Sequence, residues 1–532
     1  HAPEDLSDQQ PTLEDISDQQ PTPEDILDLV ARLVDRSLVT MTYDEQGARY
    51  RMLESVTAYS LEQLAASGEE QATRDRHARH YAELADRAAP LLHGSEQCTW
   101  LCRLDAESLN LHTALDRTRD PALALRMVNS LTWYWYLSGR LSEGLSHLNR
   151  ALATAEAHTS EPTTADRPHP HAPRTLTHTH THTHTLTATR VRRAALALIT
   201  GDASHQSDPF EGADARGRWL LAYARCGFTH LPDRGRLHAL EAEFRALGDA
   251  WGEAAALSTW ATRSLYEGDL TSLREAAEAA AARFTALGDR WGQAQATELL
   301  GVLAEITGDY PSAARLHGEG LRVAEELRLW TQASFSLSRL GRIALLTGEF
   351  DRATEHHERA ARLAADQGHA PARQFAEIGL ALGARHRGDL DTAQSLLAPW
   401  LDWNRRLGVD SGTALLLAQS GYVAELRGDH ELAEALHAEG LAVARRTGDA
   451  RAIAFAVEGL AGAWSAGGAA DRAAEALGTA GALRASVASP LPPGERTDVD
   501  RAASRARAAL GADAYTAAYE RGYKTPPADF TP

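Results

Sequence analysis

Apolar and polar positions in this chain follow a helical period within segments of about 15–18 residues, and glycine cuts the segments apart at fixed intervals. One series of turns, Gly268-Asp269, Gly308-Asp309, Gly348-Glu349, Gly388-Asp389, Gly428-Asp429 and Gly467-Gly468, recurs at a spacing of 40 residues. A second series runs out of phase through Gly248-Asp249, Gly288-Asp289, Gly368, Gly408 and Gly448-Asp449, with Arg328 where one glycine is missing. Each unit thus contains two turns, and the segments between them are rich in Ala, Leu, Arg and Glu, with proline expected only near their starts. This predicts stacked pairs of antiparallel helices, a solenoid. Glycine suits the turns because a helix commonly ends on a residue of positive φ, which costs any side-chain-bearing residue energy.

Small residues set the register. Gly301, Gly341, Ala381, Gly421 and Ala461 share one position of the first helix, and Ala313, Ala353, Ala393, Ala433 and Ala473 share one position of the second. Leu300, Leu340, Leu380 and Leu460 flank the first set and are candidates for a continuous core that no single repeat can bury alone. A leucine before a small residue, a Gly-Asp turn, and an alanine five residues after that glycine resemble the tetratricopeptide repeat. That family's usual period is about 34 residues, so the longer period here is expected to extend the second helix. The regular repeats are expected from about Trp219 to Ser489.

The rest of the chain departs from this period. Residues 1–25 hold a polar ten-residue tandem punctuated by proline and read as an acidic disordered linker. Residues 26–67 place an apolar stripe (Ile26, Leu27, Val30, Leu33, Val34) before two β-prone runs, Ser37 to Tyr43 and Ala48 to Leu53, and then a helix from Glu54. That order is the back half of a winged helix. Residues 68–157 read as a further helical repeat-like domain that includes the aromatic run Trp133 to Tyr136, taken as packing between helical hairpins. Residues 158–189 are rich in Thr, His and Pro and read as a low-complexity linker. The alternating His178, His180, His182 and His184 are taken as a repeat expansion and not a metal site. Residues 190–489 carry the repeats, and 490–532 form a C-terminal helical cap and tail. The expected fold class is therefore all-α, a tetratricopeptide-like helical solenoid with an N-terminal winged-helix fragment that supplies one β-hairpin.

Composition narrows the function. The 532 residues carry 54 basic and 73 acidic side chains, a net charge of −19, which argues against a nucleic-acid surface spread over the whole chain. Three cysteines, Cys98, Cys102 and Cys226, are too few for a disulfide framework and fit a reducing cytoplasm. No apolar run is long enough to span a bilayer, so neither membrane nor secretory routing is expected. The sequence starts at His1 and not at methionine, and is read as part of a longer reading frame. A phosphate-binding loop needs a lysine after glycine and before Ser or Thr; the sole lysine, Lys524, follows Tyr523, so no ATP hydrolysis is expected from this chain.

Several motifs in order resemble a larger architecture. Leu29 to Leu38, Arg49 to Tyr59, Arg76-His77 before Tyr81, Trp100-Leu101 with Asn110-Leu111, Trp135-Tyr136-Leu137 with Gly139-Arg140, and Arg507 to Gly511 with Tyr515 to Gly522 are similar to the region after the nucleotide-binding domain of actinobacterial STAND regulators, the SARP and large LuxR-type transcriptional regulators. His112 departs from the family's usual arginine, and the His/Thr tract interrupts what is normally compact helix. The resemblance implies a DNA-binding module and a P-loop ATPase preceding this region. It also implies that the winged helix packs on the nucleotide-binding domain instead of reading DNA, so that contact with DNA falls to parts outside this chain. The alternative is an autonomous repeat scaffold that joins proteins.

No catalytic residue, metal ligand or cofactor site is singled out. His317, His357 and His437 recur at one repeat position but on successive units, too far apart to share a metal, and are read as structural. Counting from the small residues of the first helices selects a concave row for a protein or peptide partner: Glu298, Glu305, Phe335, Arg342, Phe375, Arg385, Tyr422, Glu425, Phe455 and Glu458. Its mixture of aromatics and both charge signs suits a polypeptide better than nucleic acid. Phe335, Phe375 and Phe455 alternatively form a ladder between repeats. Arg342 and Arg385, as surface charges, are expected to be removable with little effect on folding.

Overall fold

The computed structural model describes residues 22–44, 47–160, 175–202, 212–228, 234–487, 489–526 and 530–531. The expected linker at residues 1–25 lies almost wholly outside them. Two units are present: residues 1–80 with 116–118, and residues 81–115 with 119–532.

In the first unit, α1 (Pro23–Asp35) is started by a reciprocal cap, in which the Thr22 hydroxyl accepts from the Asp25 amide and the Asp25 carboxylate accepts from the Thr22 amide. The antiparallel strands β1 (Val39–Asp44) and β2 (Gly47–Met52) follow, and then α2 (Glu54–Ala66). This is the helix, hairpin, helix order that the sequence predicts. Paired residues share a face of the hairpin. Val39, Met41 and Tyr43 therefore lie with Met52, Tyr50 and Ala48, while Thr40, Thr42, Arg49 and Arg51 occupy the other side.

The second unit is a helical solenoid of tetratricopeptide type. Its first helices are α3, which spans Glu70–Leu91 and enters it from the first unit, α4 (Gln97–Ala106), α5 (Ser108–Arg117), α6 (Pro121–Leu137), α7 (Leu141–Ser160), α8 (Thr175–Ile199), α9 (Ala215–Phe228) and α10 (Arg234–Leu247). The regular pairs are α11 (Ala250–Glu267) with α12 (Leu270–Leu287), α13 (Arg290–Ile306) with α14 (Tyr310–Glu326), and α15 (Trp330–Leu346) with α16 (Phe350–Asp366). They continue through α17 (Ala370–His386) with α18 (Leu390–Leu407), α19 (Asp410–Leu426) with α20 (His430–Thr447), and α21 (Ala450–Ala466) with α22 (Ala470–Ser486). A short 3-10 turn at Pro493–Glu495 precedes α23 (Thr497–Leu510) and α24 (Ala512–Lys524).

The Gly-Asp dipeptide works as a two-part joint. Gly268 and Gly288 end their helices at φ of 77° and 70°, and Asp269 and Asp289 then accept from the Ser272 and Gly292 amides to start the next helix. Arg328 takes the same turn at φ 57° without being glycine.

Three expectations need correction. Members of the regular pairs are 17 or 18 residues long, so the extra repeat length is shared by both helices and is not confined to the second. Proline is not confined to helix starts, since Pro399 lies inside α18. The Thr/His-rich segment is helical from Thr175, and its end is packed: Ala188 and Thr189 are buried, and the Asn129 amide donates to the Thr189 hydroxyl at 2.9 Å.

Histidines explain the paired glycines of the later repeats. His357 on α16 is sandwiched so that a Cβ at Gly341 or Gly379 would fall 2.6 Å or 2.1 Å from its ring; His437 on α20 stands likewise between Gly421 and Gly459, at 2.5 Å and 2.1 Å. The flat imidazole fills a slot that only hydrogen atoms can border. Gly379→Ala is thus expected to destabilise the unit by about 1–3 kcal/mol through overpacking, although alanine has the better helix propensity. Urea unfolding of the variant checks this, and an unchanged midpoint would contradict the slot.

Candidate functional site

The concave row selected from sequence lies on the first helix of each pair. Glu298 and Glu305 are on α13, Phe335 and Arg342 on α15, Phe375 and Arg385 on α17, Tyr422 and Glu425 on α19, and Phe455 and Glu458 on α21. The structure divides it in two.

The later part is occupied by the protein's own C-terminal segment. Arg342 donates to Glu305 and, at 2.7 Å, to Glu495. Arg385 reaches Asp498 at 2.9 Å and lies 5.1 Å above the Tyr422 ring. Glu425, fully enclosed, accepts from Arg501 at 3.0 Å and Arg505 at 2.7 Å. Glu458 pairs with Arg484 of α22 at 2.5 Å, and Phe455 packs on Tyr422 at 5.5 Å. The turn before α23 and one face of α23 therefore supply two acidic groups, Glu495 and Asp498, and then two basic ones, Arg501 and Arg505, which are opposite in sign to the row residues they meet. Burial pushes the Asp498 carboxyl up, but Arg385 and Arg501 together outweigh it and hold it below the usual range. Arg342 and Arg385 are corrected accordingly: they are not expendable surface charges. Arg385 is 8% exposed, and removing it would leave a buried carboxylate short of its partner.

The earlier part of the row borders an open cavity of about 440 Å³. Glu298, Phe335 and Phe375 line it, together with Tyr136, Tyr223 and Tyr266 from α6, α9 and α11. Phe335 and Phe375 stand 6.3 Å apart, and the Arg339 guanidinium lies 4.7 Å over Phe375. Phe455 is not with them, because its ring sits against Tyr422. A relay of hydrogen bonds runs along the cavity. The Tyr136 and Tyr223 hydroxyls meet at 2.7 Å, Tyr223 donates to Gln295 at 3.3 Å, Gln295 donates to Gln332 at 2.6 Å, and Gln332 donates to Glu298. Burial raises the Glu298 pKa against the opposing effects of Arg339 and Gln332, and it pushes Tyr136 up to about 12.

Sequence reasoning missed the tyrosines, Gln332 and Arg339, because none shares a repeat position with the row; Gln295 does, standing 40 residues before Phe335, and was the residue that the period could have found. Tyr136 had been assigned to packing along with Trp133. Trp133 does belong to a core of tryptophans, with Trp219, Trp251 and Trp291 at ring distances of 5.7, 5.4 and 4.8 Å, and Tyr136 stacks on it at 4.8 Å while also lining the cavity, as Trp291 does. The recurrence of Trp251-Gly252 as Trp291-Gly292 was the available signal. Among the described residues no group of three or more His, Cys, Asp or Glu could hold a metal ion, and no helix is long and apolar enough to cross a membrane. Cys98 and Cys102 are exposed and Cys226 is buried, all as free thiols.

No protein-family model matches the chain. Over 147 residues, 26% of the chain, the sequence is 35% identical to the "Putative HTH-type transcriptional regulator Mb0914c" of Mycobacterium bovis and to two counterparts of the same description from Mycobacterium tuberculosis. The match spans 16% of the length of those relatives. Similar solved structures include a Rap protein complexed with competence and sporulation factor, at 12% identity and a TM-score of 0.43 over 63% of this chain and 85% of that one. Yeast Tom70 aligns at 13% identity and a TM-score of 0.29 over 88% and 96%. The tetratricopeptide domain of P58(IPK) aligns at 13% and 0.23 over 82% and 99%.

Proposed function

We propose that this chain is the regulatory and protein-interaction region of a bacterial transcriptional regulator of the STAND type, related to SARP and large LuxR-type regulators. In this reading the protein is cytoplasmic. The repeats sense a protein, peptide or smaller ligand, and the helix-hairpin-helix unit contacts an upstream nucleotide-binding portion that in turn controls a DNA-binding module. Similarity to helix-turn-helix regulators over part of the chain supports the transcriptional setting.

The observation that carries the reading is the uncovered apolar side of the hairpin. Met41, Tyr43, Tyr50 and Met52 share one face and are 41%, 75%, 46% and 48% exposed, while the opposite face carries Thr40, Thr42, Arg49 and Arg51. A hairpin ordinarily buries its apolar face. Ile26, Leu27 and Leu29 on α1 and Leu53 and Tyr59 near or on α2 are exposed as well, and clustered exposure of this kind marks an interaction surface. An apolar face also fits an intramolecular contact better than it fits DNA, which is bound chiefly through phosphates by basic groups.

The test is co-purification with the polypeptide encoded directly upstream. Wild-type chain should co-elute with it, and Tyr43→Asp, at a position exposed enough to leave folding intact, should weaken the association at least tenfold. An upstream frame without a nucleotide-binding loop, or equal association of the variant, would favour the autonomous scaffold.

A further inference from the structure

We propose that the cavity bordered by α6, α9, α11, α13 and α15 takes an organic cation, a protonated amine or quaternary ammonium with an apolar body, seated on the Glu298 carboxylate. The inference rests on the reading of the repeats as a sensor and names the chemistry of what they hold.

Charge balance is the first argument. Glu298 and Arg339 are the two charged side chains that line the cavity. Arg339 is already committed: it lies 3.8 Å from Glu305 and over the Phe375 ring. Glu305 also takes Arg342, which is shared with Glu495, so this cluster alternates in sign and is closed. Glu298 has no ion pair within 4.0 Å among the described residues. Its sole hydrogen bond there is to Oε2, from Gln332, and Oε1 accepts none. Of the carboxylates Glu298, Glu305 and Glu495, Glu298 is the one without an ion pair to Arg339 or Arg342 within 4.0 Å. Glu298 is half-buried, and burial disfavours its charged form more than Arg339 and the one neutral donor favour it, so a cation seated there would complete the compensation.

The walls supply the second argument. Tyr136, Tyr223, Tyr266, Trp291 and Phe335 line the same space, and aromatic rings with a carboxylate are the setting in which ammonium groups are bound out of water. Both Gln332 and Gln295 are locked in the relay that ends on Glu298, so the carboxylate is held in place before a ligand arrives. The cavity volume of about 440 Å³ falls in the range that accepts a small organic molecule. A free amine and the amino group of a peptide share this chemistry, and the test separates them.

Titration calorimetry on the full chain would use phenethylammonium and benzyltrimethylammonium as cations, phenylethanol as the neutral counterpart and phenylacetate as the anionic one. Both cations should bind at least tenfold more tightly than phenylethanol, with no phenylacetate binding, and Glu298→Gln should lower the cation affinity at least tenfold with an unchanged helical spectrum. A phenylalanine-led peptide with a free amino terminus, compared with its acetylated form, reports whether the source is a peptide. Equal binding of phenylethanol, preference for phenylacetate, full affinity in Glu298→Gln, or no cation binding at millimolar concentration would each overturn the proposal. The comparison of ligands on wild-type protein decides the matter even if the variant fails to fold. Because it does not involve the hairpin, its failure is distinct from failure of upstream association.

Discussion

Acidification from pH 7 to pH 5 is expected to lower the melting temperature of the repeat unit by about 10 °C or more. Five histidines cause this, four of them buried and one, His93, half-buried among aromatic rings. Burial holds His317, His357 and His369 at a pKa of about 4, and His93 and His437 at about 3, against 6.5 for a free imidazole. Neighbouring charges modify but do not reverse this: Arg339 and Glu305 beside His317, His356 and Arg342 beside His357, Asp498 and Arg385 beside His437, and Arg216, Asp249 and Arg192 beside His93. A depressed folded-state pKa means that the unfolded chain takes up the proton first. The stabilisation is therefore complete above about pH 6.5 and is lost as pH falls toward 4. At pH 5 each histidine costs about 2 kcal/mol, on the order of 10 kcal/mol for the five.

Asp289 acts in the opposite sense. Burial pushes it up to about 6, so its folded form gains a proton before the unfolded form does and returns about 1 kcal/mol over the same interval. The histidines win by number. Calorimetric scans at pH 7, 6 and 5 would show a falling transition, and His437→Gln should flatten the profile by one histidine's share. A transition unchanged at pH 5 would refute the account.

Arg385→Ala is expected to cost about 3 kcal/mol or somewhat more, the range for breaking a buried pair. Its guanidinium joins α17 to the turn of α23 through Asp498, and both side chains are largely out of water. Arg501, 2.8 Å from Asp498, keeps part of the compensation and places the cost at the lower end. Arg446→Ala is the contrasting case. Its pair with Asp410 is exposed, at 57% and 35%, and its loss should change stability by less than about 1 kcal/mol. A double-mutant cycle on Arg385 and Asp498 isolates the pair's coupling from other consequences of truncation. A coupling near zero would mean that α23 does not clasp the row through this pair.

That clasp bears on where a partner can bind. From Arg342 to Glu425 the row is filled by residues 495–505, so a polypeptide partner of the proposed kind has to displace α23 or use the cavity end at Glu298, Phe335 and Phe375. Substitution of Arg342 and Arg385 together cannot distinguish lost partner contact from a loosened C-terminal segment. Glu298→Gln is the cleaner variant, since it leaves every ion pair of the clasp in place.

Helices and their boundaries were legible in the sequence because local groups specify them. Gly268 closes α11 in the left-handed region and Asp269 caps α12 with its own carboxylate, an exchange completed within a few residues and repeated every 40. The hairpin was legible for the same reason, through alternation on either side of Asp44 and Gly47. The register of small residues placed the row on the first helix of each pair, since a 40-residue period returns equivalent side chains to equivalent positions. Tertiary structure alone decided what meets that row. Arg342 finds Glu495 across 153 positions, Arg385 finds Asp498 across 113, and Tyr136 finds Tyr223 across 87, with no shared period to announce any of them. Local rules fix where a helix starts and stops, but the stacking of the helices and the return of the C-terminal segment determine which charges are buried together. In the same way, Tyr136, Tyr223, Gln295 and Gln332, from four helices, join in the relay that ends on Glu298.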